Sequence, residues 1–348
     1  MISLVIMLTR YIIPFIIPAM VLTMTCANEN LLKMHSKTYV VSADDLPTRS
    51  CHAATLTEVA PGRLMAAWFG GSQEGQRDVR IWGAHYQQGQ WSAPVLLTDF
   101  SSGTGDEAHW NPVLFNTGKE LNLHFRMGES PRLWRGFYMT SSDQGKSWSS
   151  VQSHQDGFLG PVRNKPVILP DERLIYPSST EHQGWKVHFE LQQPQGPLRV
   201  DVHDPQILGA IQPAILTHPD GRVQALCRTH SGLIAETWSL DHGLSWSEMQ
   251  PTGLPNPNSG IDAITLHSGK HLLVYNPVVA GRTPLAVALS DDGIDWQQVM
   301  ILEDGDGEFS YPAVIEDSEG IIHIVYTWQR KAIRHVQLYV IDEQEQLR

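Results

Sequence analysis

Six short phrases, HAATL, NPVLF, KPVIL, QPAIL, DAITL and YPAVI, each open on a polar residue and continue as a mostly apolar run. The opening residues are His52, Asn111, Lys165, Gln212, Asp262 and Tyr311, which together offer an imidazole, an amine, a carboxylate and a phenol. Arginines occupy comparable places. Arg163 stands two residues before Lys165, Arg228 ends the strand after QPAIL, and Arg282 precedes the strand TPLAVALS. A lone arginine at a strand end is usually solvated, but three in matching places favour bidentate capture of a carboxylate. Glu74 and Asp78 lie in the glycine-rich stretch FGGSQEGQRD. Acidic residues on such loops often form turns, yet one beside a carboxylate site can also move a proton. The chemistry suggested is recognition of an anionic ligand beside the reactive groups of the polar ring, His52 and Tyr311 among them.

A second repeat identifies the elements that carry these residues. SSDQGKSW (141–148) and SLDHGLSW (239–246) both fit Ser-x-Asp-x-Gly-x-Ser-Trp, DDGIDW (291–296) is a degenerate copy, and QGQW (88–91) keeps only the end. Tryptophans at 91, 148, 246 and 296, with a worn copy near Gln195-Gly196, give a period near 50 residues, the mark of a stacked supersecondary unit. Asp-x-Gly makes a hairpin turn, with Asp bonding its own backbone and Gly at positive φ. Each unit therefore reads as a four-stranded antiparallel blade that buries its faces only against neighbouring blades. Six phrases predict an all-β, six-bladed β-propeller. The last blade has three strands of its own, and KTYVV (37–41) is expected to supply the fourth and close the ring.

In a propeller the innermost strands line a central channel, so the repeated polar residues form a ring at its mouth. The prolines fit the first residue of a strand, where a missing N–H is tolerated. Closure sets blade 1 beside blade 6, which brings His52 next to Tyr311. Gln212 and Arg228 are expected across the channel from that pair, with Arg282 between.

The rest of the chain sets limits. It has 348 residues and a formal net charge of −12, with no run of Lys and Arg among aromatics, which argues against a nucleic-acid partner. No CxxC or His-rich spacing suggests a metal, and no cofactor is expected. Residues 1–27, with Arg10 followed by an apolar run, read as a signal peptide, with an uncleaved membrane anchor as the alternative. The chain is therefore expected to be exported. Residues 28–45 then close the propeller of residues 46–348. Cys51 and Cys227 remain beyond the leader, as small buried residues or as one disulfide.

From about residue 45 onward the chain resembles the sialidase (neuraminidase) superfamily, and most closely a bacterial sialidase-like branch with a Ser-Cys-His-Ala opening, here Ser50–Ala53. The resemblance implies three arginines holding a substrate carboxylate, a nucleophilic tyrosine with a glutamate partner, and an acid/base on an early loop. Tyr311 in FSYPAVI matches the nucleophile, Arg228 and Arg282 match the second and third arginines, and Glu74 lies where the acid/base loop falls. Two positions depart from the pattern. His52 stands for the first arginine, and Gln212, which cannot accept a proton, stands for the glutamate. The implied activity is an exo-glycosidase acting on a terminal acidic sugar of a glycan. Arg163, Lys165, Asn111, Asp262, Gln212 and Asp78 are expected to help hold the ligand. His52 and Tyr311 would equally serve a uronic-acid polysaccharide lyase, in which a base removes the C5 proton and an acid protonates the leaving group. A carbohydrate-binding propeller without catalysis is the third reading.

Overall fold

The computed structural model describes residues 31–99, 107–169 and 171–341; the expected leader lies outside them. Among the described residues there is no helix, and the strands form six antiparallel sheets of four strands, one with an extra short strand at its edge. This is the six-bladed propeller. The inner strands are Ser50–Ala60, His109–Asn116, Val167–Ile168, Ala210–Thr217, Asp262–Thr265 and Phe309–Glu316. Blade 6 takes its outer strand from Leu32–Val41, which pairs antiparallel with Ala332–Val340. One sheet is thus built from both ends of the described chain.

The Ser-Asp-Gly boxes fold as their residues dictate. Ser141 Oγ accepts the Gly145 N–H at 2.8 Å and donates to Asp143 Oδ1 at 2.8 Å, while Asp143 Oδ2 accepts the Ser147 hydroxyl at 2.6 Å. Ser239, Asp241, Gly243 and Ser245 repeat the arrangement in blade 4. Gly145 and Gly243 have φ of 83° and 84°, which only glycine adopts freely. The boxed tryptophans pack backwards onto the preceding blade; Trp246 stacks on Phe189 of blade 3 at 3.8 Å.

Apolar clusters fill the seams between blades 1 and 2, 3 and 4, 4 and 5, 5 and 6, and 6 and 1. The seam between blades 2 and 3 differs. There His124 stacks on His154 with a 3.1 Å hydrogen bond, and Tyr176 covers His124. In the same region Glu190 accepts His188 Nε2 and the N–H groups of Leu159 and Gly160. Cys51 and Cys227 are both free and buried, one in blade 1 and one in blade 4, so of the two expectations they meet that of small buried residues.

Candidate active site

The inner strand of each blade runs away from one end of the channel and the second strand returns to it. The mouth is therefore built from the starts of first strands, the ends of second strands and the connections to the third. The repeated polar-Pro phrase has a more specific role here than strand initiation. The strands begin two residues earlier, at His109, Ala210 and Phe309, and the phrase marks a β-bulge inside each one. The residue before proline is left-handed: φ is 32° at Asn111, 56° at Gln212 and 52° at Tyr311. Proline follows where the ladder is broken and no N–H is needed. A positive φ is rare for an aromatic residue and strained unless its surroundings enforce it.

Neighbouring blades supply that enforcement. Asp262 Oδ2 accepts the Val314 N–H after the Tyr311 bulge, and Asn164 Nδ2 donates to the carbonyls of Gln212 and Pro213. In blade 1 the left-handed residue is Ala53, φ 54°, not His52. The bulge falls between His52 and Thr55, so His52 sits one place earlier in the pattern than Tyr311. Alanines in place of proline concealed that phase in the sequence.

His52 and Tyr311 nevertheless meet, with ring centroids 4.1 Å apart. His52 is buried, with Nδ1 2.9 Å from Thr327 Oγ1 and Nε2 3.4 Å from Arg330 Nη2. A guanidinium only donates, so Nε2 is the acceptor and Nδ1 carries the proton to Thr327. Burial, then the charges of Arg330, Arg282, Arg163 and Arg228, hold the His52 pKa well below its ordinary value, and the imidazole is neutral.

Arginines surround Tyr311. The guanidinium carbons of Arg163, Arg282 and Arg228 lie 5.3, 5.4 and 5.5 Å from its ring centroid, close enough for cation–π contact. Arg228 does not merely face Tyr311 across the channel. It bridges to it, with Nη1 donating to the phenol oxygen at 2.5 Å and to Gln212 Oε1 at 3.3 Å. Asn258 fixes the far side of this guanidinium through Oδ1 and its carbonyl oxygen. Arg163 is buried beneath the ring and donates to the Pro312 carbonyl at 2.6 Å, so it supports Tyr311 from below. Gly260 closes the other side. A Cβ built there would lie 3.2 Å from Tyr311 Cγ.

Arg330 and Glu308 complete the mouth and were not singled out in the sequence. Glu308 accepts Arg282 Nη1 at 2.6 Å and Arg330 Nε at 3.0 Å, while Arg330 Nη1 pairs with Glu74. Burial works against charge on both, but Arg330 and Arg282 pull the Glu308 carboxyl below its usual range, and Glu74 and Glu308 raise the Arg330 pKa. The signal for Arg330 was its place between the second and third strands of blade 6, the same connection that holds Arg282 in blade 5.

Four expected ligand-binding residues are occupied otherwise. Lys165 and Asp262 form a buried ion pair at 2.5 Å that joins blades 3 and 5, so neither offers free charge at the mouth. Asp78 spends both carboxylate oxygens on Ser72, N–H at 2.8 Å and hydroxyl at 2.9 Å, and closes its own loop. Asn111 occupies the blade 2 bulge, where its carbonyl accepts Arg126.

The BNR repeat-like domain model matches residues 62–324. No curated protein matches the chain in sequence. Among solved structures, a protein of unknown function from Dyadobacter fermentans superposes with a TM-score of 0.74 at 13% identity, covering 89% of this chain and 100% of the other. The Hadza microbial sialidase Hz136 gives 0.72 at 16% identity, with 87% and 68% covered. The intramolecular trans-sialidase of Ruminococcus gnavus, in complex with oseltamivir carboxylate, gives 0.67 at 15% identity, with 88% and 97% covered. The repeats, the six blades and the matched span together place this chain in the BNR repeat-like family, on the propeller fold shared with sialidases.

Proposed function

We propose that the protein is an exported sialidase-like exo-glycosidase that hydrolyses a terminal acidic sugar from glycans. The observation that carries this reading is the convergence of Arg163, Arg228 and Arg282 on the Tyr311 ring, with Arg330 alongside, in a protein that is acidic overall. Arg282 and Arg330, both paired with Glu308, would take the sugar carboxylate. Tyr311 Oη would attack the anomeric carbon as the glycosidic C–O bond breaks, and the leaving oxygen would take a proton from Glu74, which gains that proton from solvent once the sugar carboxylate replaces it on Arg330. A water then cleaves the tyrosyl–sugar bond.

With Gln212 in place of a carboxylate, the phenol proton needs another acceptor, and His52, whose ring lies against the Tyr311 ring, is the neighbouring base. Burial and then the arginine field oppose imidazolium, and an incoming carboxylate offsets the field, so His52 regains part of its basicity when substrate binds. That the Ruminococcus gnavus relative holds a carboxylate ligand is consistent with this chemistry. The test is release of sialic acid from an aryl sialoside and its loss in Tyr311→Phe. Failure of the wild-type protein to release acid from a broad panel of acidic glycosides overturns the reading.

The 4.1 Å contact between a neutral histidine and a tyrosine also suits β-elimination on a uronic-acid chain, with His52 as base and Tyr311 as acid. An unsaturated, ultraviolet-absorbing product from a uronan identifies that reaction. Glycan binding with no product on either substrate class would leave a binding propeller.

A further inference from the structure

Thr327 is the last residue but one of the second strand of blade 6, Ile322–Trp328, and it is fully buried. Its neighbours across the sheet are Ser310, the residue before Tyr311, and Ile333. It thus lies just behind the mouth, where the last blade meets the first. Its hydroxyl reaches blade 1 twice. Oγ1 accepts the Ala53 N–H at 3.2 Å and lies 2.9 Å from His52 Nδ1. The Cys51 N–H, one residue before His52, donates to the Arg330 carbonyl at 3.0 Å and ties down the same stretch.

The bond to Ala53 has a counterpart elsewhere in the ring. The left-handed Gln212 of blade 4 donates its N–H to Ser179 Oγ at 3.2 Å, and Ser179 is the last residue but one of Leu174–Thr180, the second strand of blade 3. A hydroxyl on the preceding blade therefore supports the bulge in both places. Thr327 differs in what else it meets. The left-handed residue of blade 1 is Ala53, His52 stands one place earlier, and its imidazole comes to the same hydroxyl.

A neutral imidazole has one N–H, and the groups on its two sides decide which nitrogen carries it. Arg330 Nη2, 3.4 Å from Nε2, can only donate, whereas a hydroxyl donates or accepts. Were Thr327 to donate to Nδ1, the ring proton would sit on Nε2 and face the guanidinium N–H. With Thr327 accepting from Nδ1, both ring nitrogens are satisfied, and the two lone pairs of Oγ1 are filled by Ala53 and His52. Phe69, the residue paired with His52 across blade 1, and Tyr311 flank the ring with centroids 5.6 and 4.1 Å away.

We infer that Thr327 is a positioning residue that fixes the Nδ1–H tautomer of His52 and so keeps Nε2 bare as the base that receives the Tyr311 phenol proton. Nδ1 keeps its own proton throughout: when Nε2 takes the phenol proton, the imidazolium still donates from Nδ1 to the same oxygen. The inference deepens the proposed reaction and rests on His52 as its base.

The test combines nitrogen NMR spectra of the histidine rings in the full chain with initial rates on an aryl sialoside. The His52 signals are those missing from His52→Phe. The wild-type protein at neutral pH should show a protonated Nδ1 and a bare Nε2. Thr327→Val, nearly isosteric but without the acceptor, should move the proton to Nε2 and lower kcat roughly 100-fold, the scale of a positioned base, with KM nearly unchanged. Thr327→Ser, which keeps the hydroxyl and loses the methyl group, should retain both the tautomer and kcat; a space-filling role would instead be served by valine. A wild-type His52 protonated on Nε2, a proton that stays on Nδ1 in Thr327→Val, or equal kcat in Thr327→Val and wild type overturns the inference. Should Thr327→Val fail to fold, the wild-type tautomer and its retention or loss in Thr327→Ser decide the matter. If the wild type turns over no acidic glycoside, the glycosidase reading fails and the spectra alone judge the role of Thr327.

Discussion

Acid should unfold this protein at a pH where most domains are still stable, because it buries neutral histidines. His109 and His335 are 1% and 0% exposed, and burial pushes both down to about 3 from an ordinary value of 6.5. A folded pKa below the unfolded one means that the unfolded chain binds more protons between about pH 3 and 6.5. The stability is thus complete above pH 6.5 and lost as the pH falls. At pH 5 each site has given up about 1.5 units at 1.36 kcal/mol per unit, about 2 kcal/mol, or about 4 kcal/mol for the pair. Domains hold only ~5–15 kcal/mol in total. His52, His124, His154 and His271 are shifted in the same direction, and two of them form the polar seam between blades 2 and 3. The half-buried Glu181 and Glu236, raised by burial, act in the opposite sense. At ~2–4 °C per kcal/mol, the melting temperature should fall by roughly 10 °C or more between pH 7.5 and 5. The assay is thermal unfolding followed by circular dichroism across that range, with His335→Gln flattening the slope by about one proton. A melting temperature that stays level from pH 7.5 to 5 would refute the reasoning.

Other perturbations probe the mouth and its supports. His52→Ala should lower turnover roughly 100-fold if the imidazole moves a proton; His52→Phe, which restores the ring contact with Tyr311, should recover melting temperature but not turnover. Lys165→Met leaves Asp262 buried and unpaired and should cost ~3–5 kcal/mol in chemical denaturation, with the Lys165→Met/Asp262→Asn double variant recovering part of it. Gly260→Ala pushes on the Tyr311 ring by a few tenths of an ångström and should lower kcat roughly 10-fold at nearly unchanged stability. Asp241→Ala removes the acceptor of the Ser245 and Ser239 bonds at the opposite end of blade 4 and should cost ~1–3 kcal/mol without changing kcat, as unfolding and initial-rate measurements on one preparation would show.

The sequence by itself determined the blades. A Ser-x-Asp-x-Gly-x-Ser-Trp box closes on itself through contacts four residues apart, so its meaning is local, and its period announces the array. The residues around the phenol were legible for the same reason, since Tyr311, Arg228 and Arg282 each sit at a fixed place within a repeated unit. Which neighbours those side chains choose was not. Arg330 meets Glu74 from 256 residues away, Lys165 meets Asp262 from 97, and Arg163 reaches Pro312 from 149. Such partners are set by which blades face each other across the channel. The bulges were hidden too, since a left-handed Tyr311 or Ala53 carries no mark in composition and is held there by hydrogen bonds from the next blade. Local turn chemistry wrote the propeller into the chain; only ring closure decided which charges at its mouth are paired and which face a ligand.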